Sequence, residues 1–294
     1  MVSDYGGRII YRNVLIQYPV NATLQRTDAN VKTIRSKLDR KEDLEIINWL
    51  TGIDYGPQHS DILKRRQSGT GQWFLDSVEY QNWRSSSQQT LFGVGIPGAG
   101  KTILAAIVVD DLTTRFGHDS SIGIAYIYFD FRQKQQQRRE DLVSSLVKQL
   151  SQDWPSLPDS VENLYNKHTR KKTRPSFDEL SKALLSVAAF YSKTFIIVDA
   201  LDECEVSDGC LSSLLSEIFA LQSKAAVNLF ATSRPIPEIE ERFNGCTLHH
   251  ISASEEDIRS YLNSHMTRLP EFVLESPELQ ERVKAGIIDA VDGM

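Results

Sequence analysis

The stretch at residues 95–102 constrains the fold of this chain more than any other part of it. It reads Gly-Ile-Pro-Gly-Ala-Gly-Lys-Thr and fits the P-loop pattern G-x-x-x-x-G-K-[ST]. An apolar run at residues 91–94 precedes it, and an apolar segment at residues 103–109 follows it. These three pieces predict a buried strand, a glycine-rich loop and a helix packed on a sheet. The alternative interpretation is an ordinary glycine turn before a core helix.

Phosphate binding explains why the loop needs these residue types. Its three glycines let the backbone curl until its N–H groups point inward, and the helix that begins at Lys101 adds the positive end of its dipole. We expect Lys101 to neutralise the β- and γ-phosphates of a nucleotide and the Thr102 hydroxyl to ligate Mg²⁺. The predicted nucleotide-binding set is therefore Gly95, Ile96, Pro97, Gly98, Ala99, Gly100, Lys101 and Thr102.

A second motif places carboxylates at the end of a buried strand. Residues 195–198 are four apolar residues followed by Asp199, and they predict a parallel strand that is buried on both faces. Ligands bind at the carboxyl ends of such strands, so we expect Asp199 to lie beside the P-loop and to hold Mg²⁺, mostly through water. Asp202 and Glu203 follow at the strand tip, and both are candidates to orient an attacking water. A solvated acidic turn is the alternative for this pair.

A third buried strand is predicted at residues 227–233, and Arg234 and Pro235 follow it. An arginine at this edge of the sheet is expected to reach a γ-phosphate and to report whether it is present. A surface arginine beside Pro235 is the alternative.

The strand inventory predicts an α/β fold, a P-loop NTPase with a five-stranded, mainly parallel sheet flanked by helices. A further aromatic and β-branched strand is predicted at residues 122–131, and a short one at residues 247–251. We predict the spatial order 2-3-4-1-5 with right-handed crossovers. In the alternative, kinase-like class, the strand that ends at Asp199 would lie directly beside the P-loop strand.

These motifs resemble those of the NACHT NTPases of the signal-transducing STAND class, particularly the fungal forms, over residues 44–294. The resemblance rests on the P-loop, on Asp199-Ala-Leu-Asp-Glu203, which fits the family pattern D-[GA]-x-D-E, and on Ala231-Thr-Ser-Arg-Pro235. It also rests on a leader segment, Arg66-Gln-Ser-Gly-Thr-Gly-Gln-Trp-Phe-Leu75, with Trp83 shortly after. The resemblance implies an adenine pocket that includes Thr70, Trp73 and the helices near the carboxyl end. Hydrophobic lid packing is the alternative for Trp73 and Trp83.

The resemblance also implies a function, an ATP/ADP-binding regulatory switch. In such a switch, bound ADP keeps the domain closed, ATP reorients the modules, and slow Mg²⁺-dependent hydrolysis resets them. Self-oligomerisation, signalling-protein partners and a role in fungal non-self recognition or programmed cell death follow from the same resemblance. An ordinary ATP-hydrolysing or phosphotransfer enzyme and a non-hydrolysing scaffold are the alternatives.

ATP is favoured over GTP because the guanine-reading pattern N-K-x-D is missing. Its nearest match is Asn166-Lys-His-Thr169, which has threonine where the aspartate is needed.

Composition restricts the partners and the compartment. The formal net charge of −6 argues against a phosphate-driven grip on nucleic acid. No run approaches the roughly 18–20 apolar residues that a membrane helix needs, and the first residues lack a signal-peptide core. We therefore expect a cytoplasmic protein without membrane contact. The three cysteines, Cys204, Cys210 and Cys246, form no CxxC pair and are expected to pack as ordinary apolar residues.

The chain is expected to have three parts. These are an N-terminal arm with an amphipathic helical segment at residues 1–60, a NACHT P-loop core at residues 61–252, and a helical segment at residues 253–294 that begins a truncated module. Apolar periodicity predicts one or two helices from Val31 to Leu50, closed by Gly52 and Gly56-Pro57.

Capping signals predict three later helices. Ser176 with Glu179 is expected to begin one, Ser254 with Asp257 a second, and Ser276-Pro277 the last. The second should present Ile258, Tyr261 and Leu262 on one apolar face. The basic run at residues 167–174 predicts a solvated linker, with an anionic partner or a nuclear address as the alternatives.

Overall fold

The computed structural model describes residues 40–132, 138–152, 154, 157–204 and 209–292. The chain divides into two compact units, residues 1–48 and 49–294. Helix α1 spans residues 40–50, and Ile46 and Ile47 are buried. The N-terminal arm and the helical period predicted from Val31 to Leu38 lie outside the described residues.

The second unit contains a parallel sheet of five strands. The strands are β1 (Thr90–Val94), β2 (Ile122–Tyr128), β3 (Lys193–Asp199), β4 (Val227–Ser233) and β5 (Thr247–His250). They lie in the order β2-β3-β4-β1-β5, and every neighbouring pair is parallel. This confirms the predicted order, and the kinase-like alternative is wrong because β4 lies between β3 and the P-loop strand β1. The second strand ends at Tyr128, three residues earlier than predicted.

Helices cover the central strands. Helix α5 (Lys101–Phe116) contacts β2, β3 and β4, and α9 (Cys210–Gln222) contacts β4 and α6 (Arg139–Gln152). Every residue of β4 and all but the first of β3 are buried, which fits their nearly continuous apolar sequence. The other helices are α2 (Gly56–Arg65), α3 (Gln72–Leu75), α4 (Val78–Ser85), α7 (Asp159–Lys171), α8 (Phe177–Ala188), α10 (Pro237–Glu240), α11 (Glu255–His265), α12 (Glu271–Leu274) and α13 (Pro277–Asp292).

The leader segment packs into the core through α4. Trp83 is fully buried, donates from Nε1 to the Leu229 carbonyl at 2.9 Å, and packs against Phe195 and Phe230. Trp83 therefore packs as a hydrophobic residue, as the alternative interpretation has it, but in the core and not in a lid. Gly56-Pro57, predicted to close the first helices, instead begins α2, where proline suits the first turn.

The basic run at residues 167–174 is not a linker, because α7 continues through it to Lys171. His168 is buried in this last turn, with Nδ1 at 2.8 Å from the Thr173 hydroxyl. Glu179 of the next helix accepts a hydrogen bond from Lys167. The capping box of Ser176 and Glu179 is confirmed at the start of α8.

The carboxyl-terminal helices begin where their caps predict. The Ser254 hydroxyl accepts from the Asp257 N–H at 3.1 Å, and Pro277 begins α13. No described residue of α11 is buried, and Tyr261 is 48% exposed, so the apolar face of this helix is only partly covered. Among the described residues, no helix combines the length and apolarity needed to cross a membrane. The predicted domain boundaries at residues 60 and 252 stay predictions.

We expect the Trp83→Ala substitution to lower the free energy of unfolding by about 3–5 kcal/mol, because it leaves a large cavity in the core. Urea denaturation of both proteins measures the difference. Val78→Ala on the same helix is the matched control, because Val78 is 70% exposed; we expect it to change stability by no more than about 0.5 kcal/mol. A similar loss in both variants would contradict the packing described for Trp83.

Candidate functional site

The P-loop links β1 to α5 with backbone geometry that requires glycine at several positions. Gly98 and Gly100 have φ angles of 85° and 90°, in the left-handed region. A Cβ atom at Gly95 would lie 2.5 Å from the Ile251 carbonyl oxygen, so only glycine fits there. The first N–H groups of α5 have no partner within the helix. The loop and the helix start therefore form a concave surface with backbone donors.

Lys101 lies at this surface and is tied to the loop. Its Nζ donates to the Gly95 carbonyl at 2.8 Å and to the Ile96 carbonyl at 2.9 Å. Burial lowers the pKa of the amine, whereas the nearby Asp202 and Asp199 carboxylates act in the opposite direction. The positive charge predicted for this position therefore lies close to the three predicted carboxylates, those of Asp202, Asp199 and Glu203.

Asp199 is a buried carboxylate at the end of β3, with only 1% of its surface exposed. Its Oδ1 accepts a hydrogen bond from the Thr232 hydroxyl at 2.6 Å. Burial raises the pKa of Asp199 to about 6, although hydrogen bonds from Thr232 and Thr102 oppose the change. Thr232 also accepts from the Ala200 N–H at 3.0 Å. Thr232 lies in the motif Ala231-Thr-Ser-Arg-Pro235, but the sequence alone does not indicate a role for it.

The chain turns sharply after Asp199. Ala200 has a φ of 59°, in the left-handed region where a Cβ atom is unfavourable. Glycine adopts this conformation freely, whereas Ala200 adopts it against its own Cβ atom. The turn carries Leu201–Glu203 back over the edge of the sheet.

Asp202 and Arg234 form an ion pair across this edge. Arg234 Nε lies 2.9 Å from Asp202 Oδ2, and the Arg234 N–H donates to Asp202 Oδ1 at 3.0 Å. The Asp202 side chain is 5% exposed and that of Arg234 is 50% exposed. Glu203 has a different environment, since its Oε2 accepts from the Phe131 N–H at 3.3 Å. The two acidic residues that the sequence left equivalent are therefore distinct.

Two adjoining cavities meet at the P-loop. The first, of about 290 Å³, is lined by loop residues together with Lys101, Thr102, Asp202, Glu203 and Arg234. The second, of about 400 Å³, is largely apolar and has Ile103, Leu104 and Ile107 of α5 on one side. Gly98, Gly100 and Ile103 border both cavities. The charged cavity is thus continuous with the apolar cavity.

The second cavity contains both leader residues that the resemblance implicated. Thr70 and Trp73 line it, together with Ile258, Tyr261 and Leu262 of α11. Asp257 lines it too, although its sequence pattern identified it only as part of a helix cap. The C-terminal segment thus supplies part of the cavity wall.

The residues present fit a magnesium nucleotide. Mg²⁺ prefers oxygen ligands, and Thr102 and Asp199 supply a hydroxyl and a carboxylate; Thr102 is close enough to Asp199 to oppose the rise in its pKa. The concave backbone surface and Lys101 match the chemistry of polyphosphate oxygens. Cys204 and Cys210 are buried as expected, and none of the three cysteines forms a disulfide.

Comparison with known proteins gives one family match. The family described as Nephrocystin 3, N-terminal matches residues 69–234, more than half of the chain, including the P-loop and Arg234. Among curated proteins no relative matches this sequence.

Solved structures show distant likeness. A Walker-type ATPase of Pyrococcus abyssi is 15% identical, with 79% of this chain and 62% of that chain covered and a TM-score of 0.42. The ORC1 protein of Aeropyrum pernix in complex with DNA is 17% identical (63% and 45% covered, TM-score 0.40). AMPPCP-bound DnaA from Aquifex aeolicus is 14% identical (78% and 63% covered, TM-score 0.37). This chain spans less than two thirds of the length of each, and likeness at this level assigns no ligand.

We expect Thr232→Val to lower the free energy of unfolding by about 1.5–3 kcal/mol, since it removes the hydroxyl that donates to a buried carboxylate. Chemical denaturation at pH 7 measures the loss. The matched control is Thr194→Val, because Thr194 is equally buried in β3 but its hydroxyl has no hydrogen-bond partner among the described residues. If both substitutions have the same effect, the Thr232–Asp199 hydrogen bond does not stabilise the fold.

Proposed function

This chain belongs to the family of the nephrocystin 3 N-terminal domain, and from that premise we propose that it is an ATP/ADP-binding switch of the NACHT/STAND type. In this proposal it hydrolyses ATP slowly with Mg²⁺, and hydrolysis resets a signalling conformation. One observation carries the proposal. The P-loop, Lys101, Asp199 and the Asp202–Arg234 pair gather at one edge of the sheet, next to an apolar cavity.

The charged cavity is proposed to hold the phosphates. The N–H groups of the loop and of the first turn of α5 would bind phosphate oxygens, and Lys101 would exchange its two carbonyl partners for the β- and γ-phosphates. Thr102 and Asp199 would hold Mg²⁺, which when bound neutralises the charge on these phosphates.

Glu203 is proposed to orient the attacking water. Asp202 has both oxygens engaged by Arg234, whereas only Oε2 of Glu203 accepts a hydrogen bond from a described residue. Glu203 therefore keeps an oxygen available to accept a proton from water. Asp202 would instead position Arg234.

Arg234 is proposed to sense the γ-phosphate. Its guanidinium is half exposed and is held by a single carboxylate, so a phosphate in the charged cavity would compete with Asp202 for it. A change of partner at Arg234 would distinguish the ATP state from the ADP state.

The apolar cavity is proposed to bind the base, with Thr70 and Trp73 at its wall. Its size and apolar lining suit a purine. ATP and ADP are proposed over the guanine nucleotides because the chain lacks N-K-x-D.

The wider proposal follows from the resemblance to NACHT proteins. Residues 1–60 would form a lead segment, residues 61–252 the switch core, and residues 253–294 the start of a helical module. The switch would act through self-oligomerisation and signalling-protein partners, in fungal non-self recognition or programmed cell death. That nucleic acid is not a partner stays a prediction.

We expect the purified chain to release ADP or ATP, close to one per chain, when it is denatured and the supernatant is separated by chromatography. Lys101→Ala should remove the bound nucleotide, because the phosphates lose their principal cation. Lys64→Ala is a suitable control, since this exposed lysine pairs with Asp61 on α2. Bound GDP would contradict the adenine assignment, and a folded protein that binds no added nucleotide would contradict the proposal as a whole.

We expect Glu203→Gln to slow ATP hydrolysis by about 100-fold while ATP binding is retained, because the water loses its proton acceptor. Asp202→Asn should slow hydrolysis less and act through Arg234. Single-turnover hydrolysis, with ATP binding measured separately, tests both variants. The reverse ranking would show that Asp202 is the carboxylate that orients the water.

A further inference from the structure

We propose that Asp257 is a positioning residue that joins the two walls of the apolar cavity, so that base binding and the docking of α11 are coupled. This inference rests on the proposed function, because it treats that cavity as the base site. It assigns a role to a residue outside the matched region, residues 69–234.

Asp257 bridges two segments that are far apart in the chain. Its Oδ2 accepts from the Gly71 N–H at 2.9 Å and from the Trp73 indole Nε1 at 3.0 Å. One carboxylate oxygen therefore fixes both a backbone group and a ring of the leader wall. Hydrogen bonds to a charged acceptor are stronger than neutral ones, so the bridge orients Trp73 as well as linking the walls.

The peptide group between Thr70 and Gly71 is held at its carbonyl end as well. The Arg66 guanidinium donates to the Thr70 carbonyl from Nε at 3.1 Å and from Nη2 at 2.7 Å. The Thr70 carbonyl and the Gly71 N–H belong to one peptide unit, so Arg66 and Asp257 fix its two polar ends. Gly71 has a φ of 79°, and a Cβ atom there would lie 2.5 Å from Ile107. The turn therefore sits directly on α5 and has one defined orientation.

The opposite wall depends on this bridge because it has little else to hold it. No described residue of α11 is buried, and the helix packs chiefly on α13. Its Ile258, Tyr261 and Leu262 nevertheless line the cavity. Without Asp257 the apolar residues of α11 would lose their fixed distance from Trp73.

A base in the cavity would contact both walls, so it would strengthen the same closure that Asp257 maintains. By linkage, the docking of α11 and nucleotide occupancy must stabilise each other. A phosphate chain without a base would occupy only the charged cavity and would not sense the bridge.

The test compares ADP with inorganic tripolyphosphate as ligands of the full chain, by isothermal titration calorimetry. We expect Asp257→Ala to weaken ADP by about tenfold or more and to leave tripolyphosphate within about twofold. Asp257→Asn should weaken ADP less, because its amide oxygen still accepts hydrogen bonds. Glu256→Gln is the matched control, as an exposed acid in the same first turn of α11; we expect no change for either ligand.

A second measurement follows α11 itself. Hydrogen exchange of the α11 amides should slow when ADP binds the parent chain, and this protection should be lost in Asp257→Ala. Equal weakening of ADP and tripolyphosphate, or an unchanged ADP affinity in both Asp257 variants, would overturn the positioning role while leaving nucleotide binding intact. A parent chain that binds tripolyphosphate but not ADP would overturn the base site, and with it the proposed function.

Discussion

The hydrogen bond between Thr232 and Asp199 is the interaction on which the arrangement of the site depends. Asp199 ends a strand that is buried on both sides, where an unpartnered carboxylate is strongly unfavourable. Only a strand order that places β4 beside β3 brings the Thr232 hydroxyl to Oδ1. The same order puts Arg234, the second residue after Thr232, opposite Asp202. Satisfying one buried charge therefore also brings the charged residues of the turn and the strand end together.

Most of the sheet and the phosphate side of the site could be predicted because their signals are local. Mainly apolar runs before Asp199 and Ser233 indicate buried parallel strands. The glycine spacing of the P-loop predicts a loop with positive φ angles. The leader helices could not be predicted in this way. The indole of Trp83 donates to the Leu229 carbonyl, which is 146 residues away in the chain. No local sequence pattern predicts such a contact. The prediction of a linker at the basic run was wrong for a related reason. Lys167, in the last turns of α7, donates a hydrogen bond to Glu179 of the next helix.

The two cavities have different origins in the chain. The charged cavity is formed entirely by residues within the family match, from Pro97 to Arg234. The apolar cavity needs Asp257, Tyr261 and Ile287, which lie beyond that match, as well as Arg66, which precedes it. Asp257 illustrates why the contacts between the two walls of this cavity could not be predicted. Its spacing from Ser254 is explained by a helix cap, and the cap is real, so the sequence contains no unexplained feature that would indicate a second role.

The two hydrogen bonds of Lys101 affect which anions the proposed phosphate site would bind. Its amine already has two partners, the carbonyls of Gly95 and Ile96. Its third N–H is enough for one small anion, whereas an anion that replaces both carbonyls must itself supply several acceptor oxygens. A polyphosphate supplies several, and it also meets the backbone donors of the loop at the same time. If this is the proposed phosphate site, the resting contacts of Lys101 therefore favour an anion with several oxygens over a simple one.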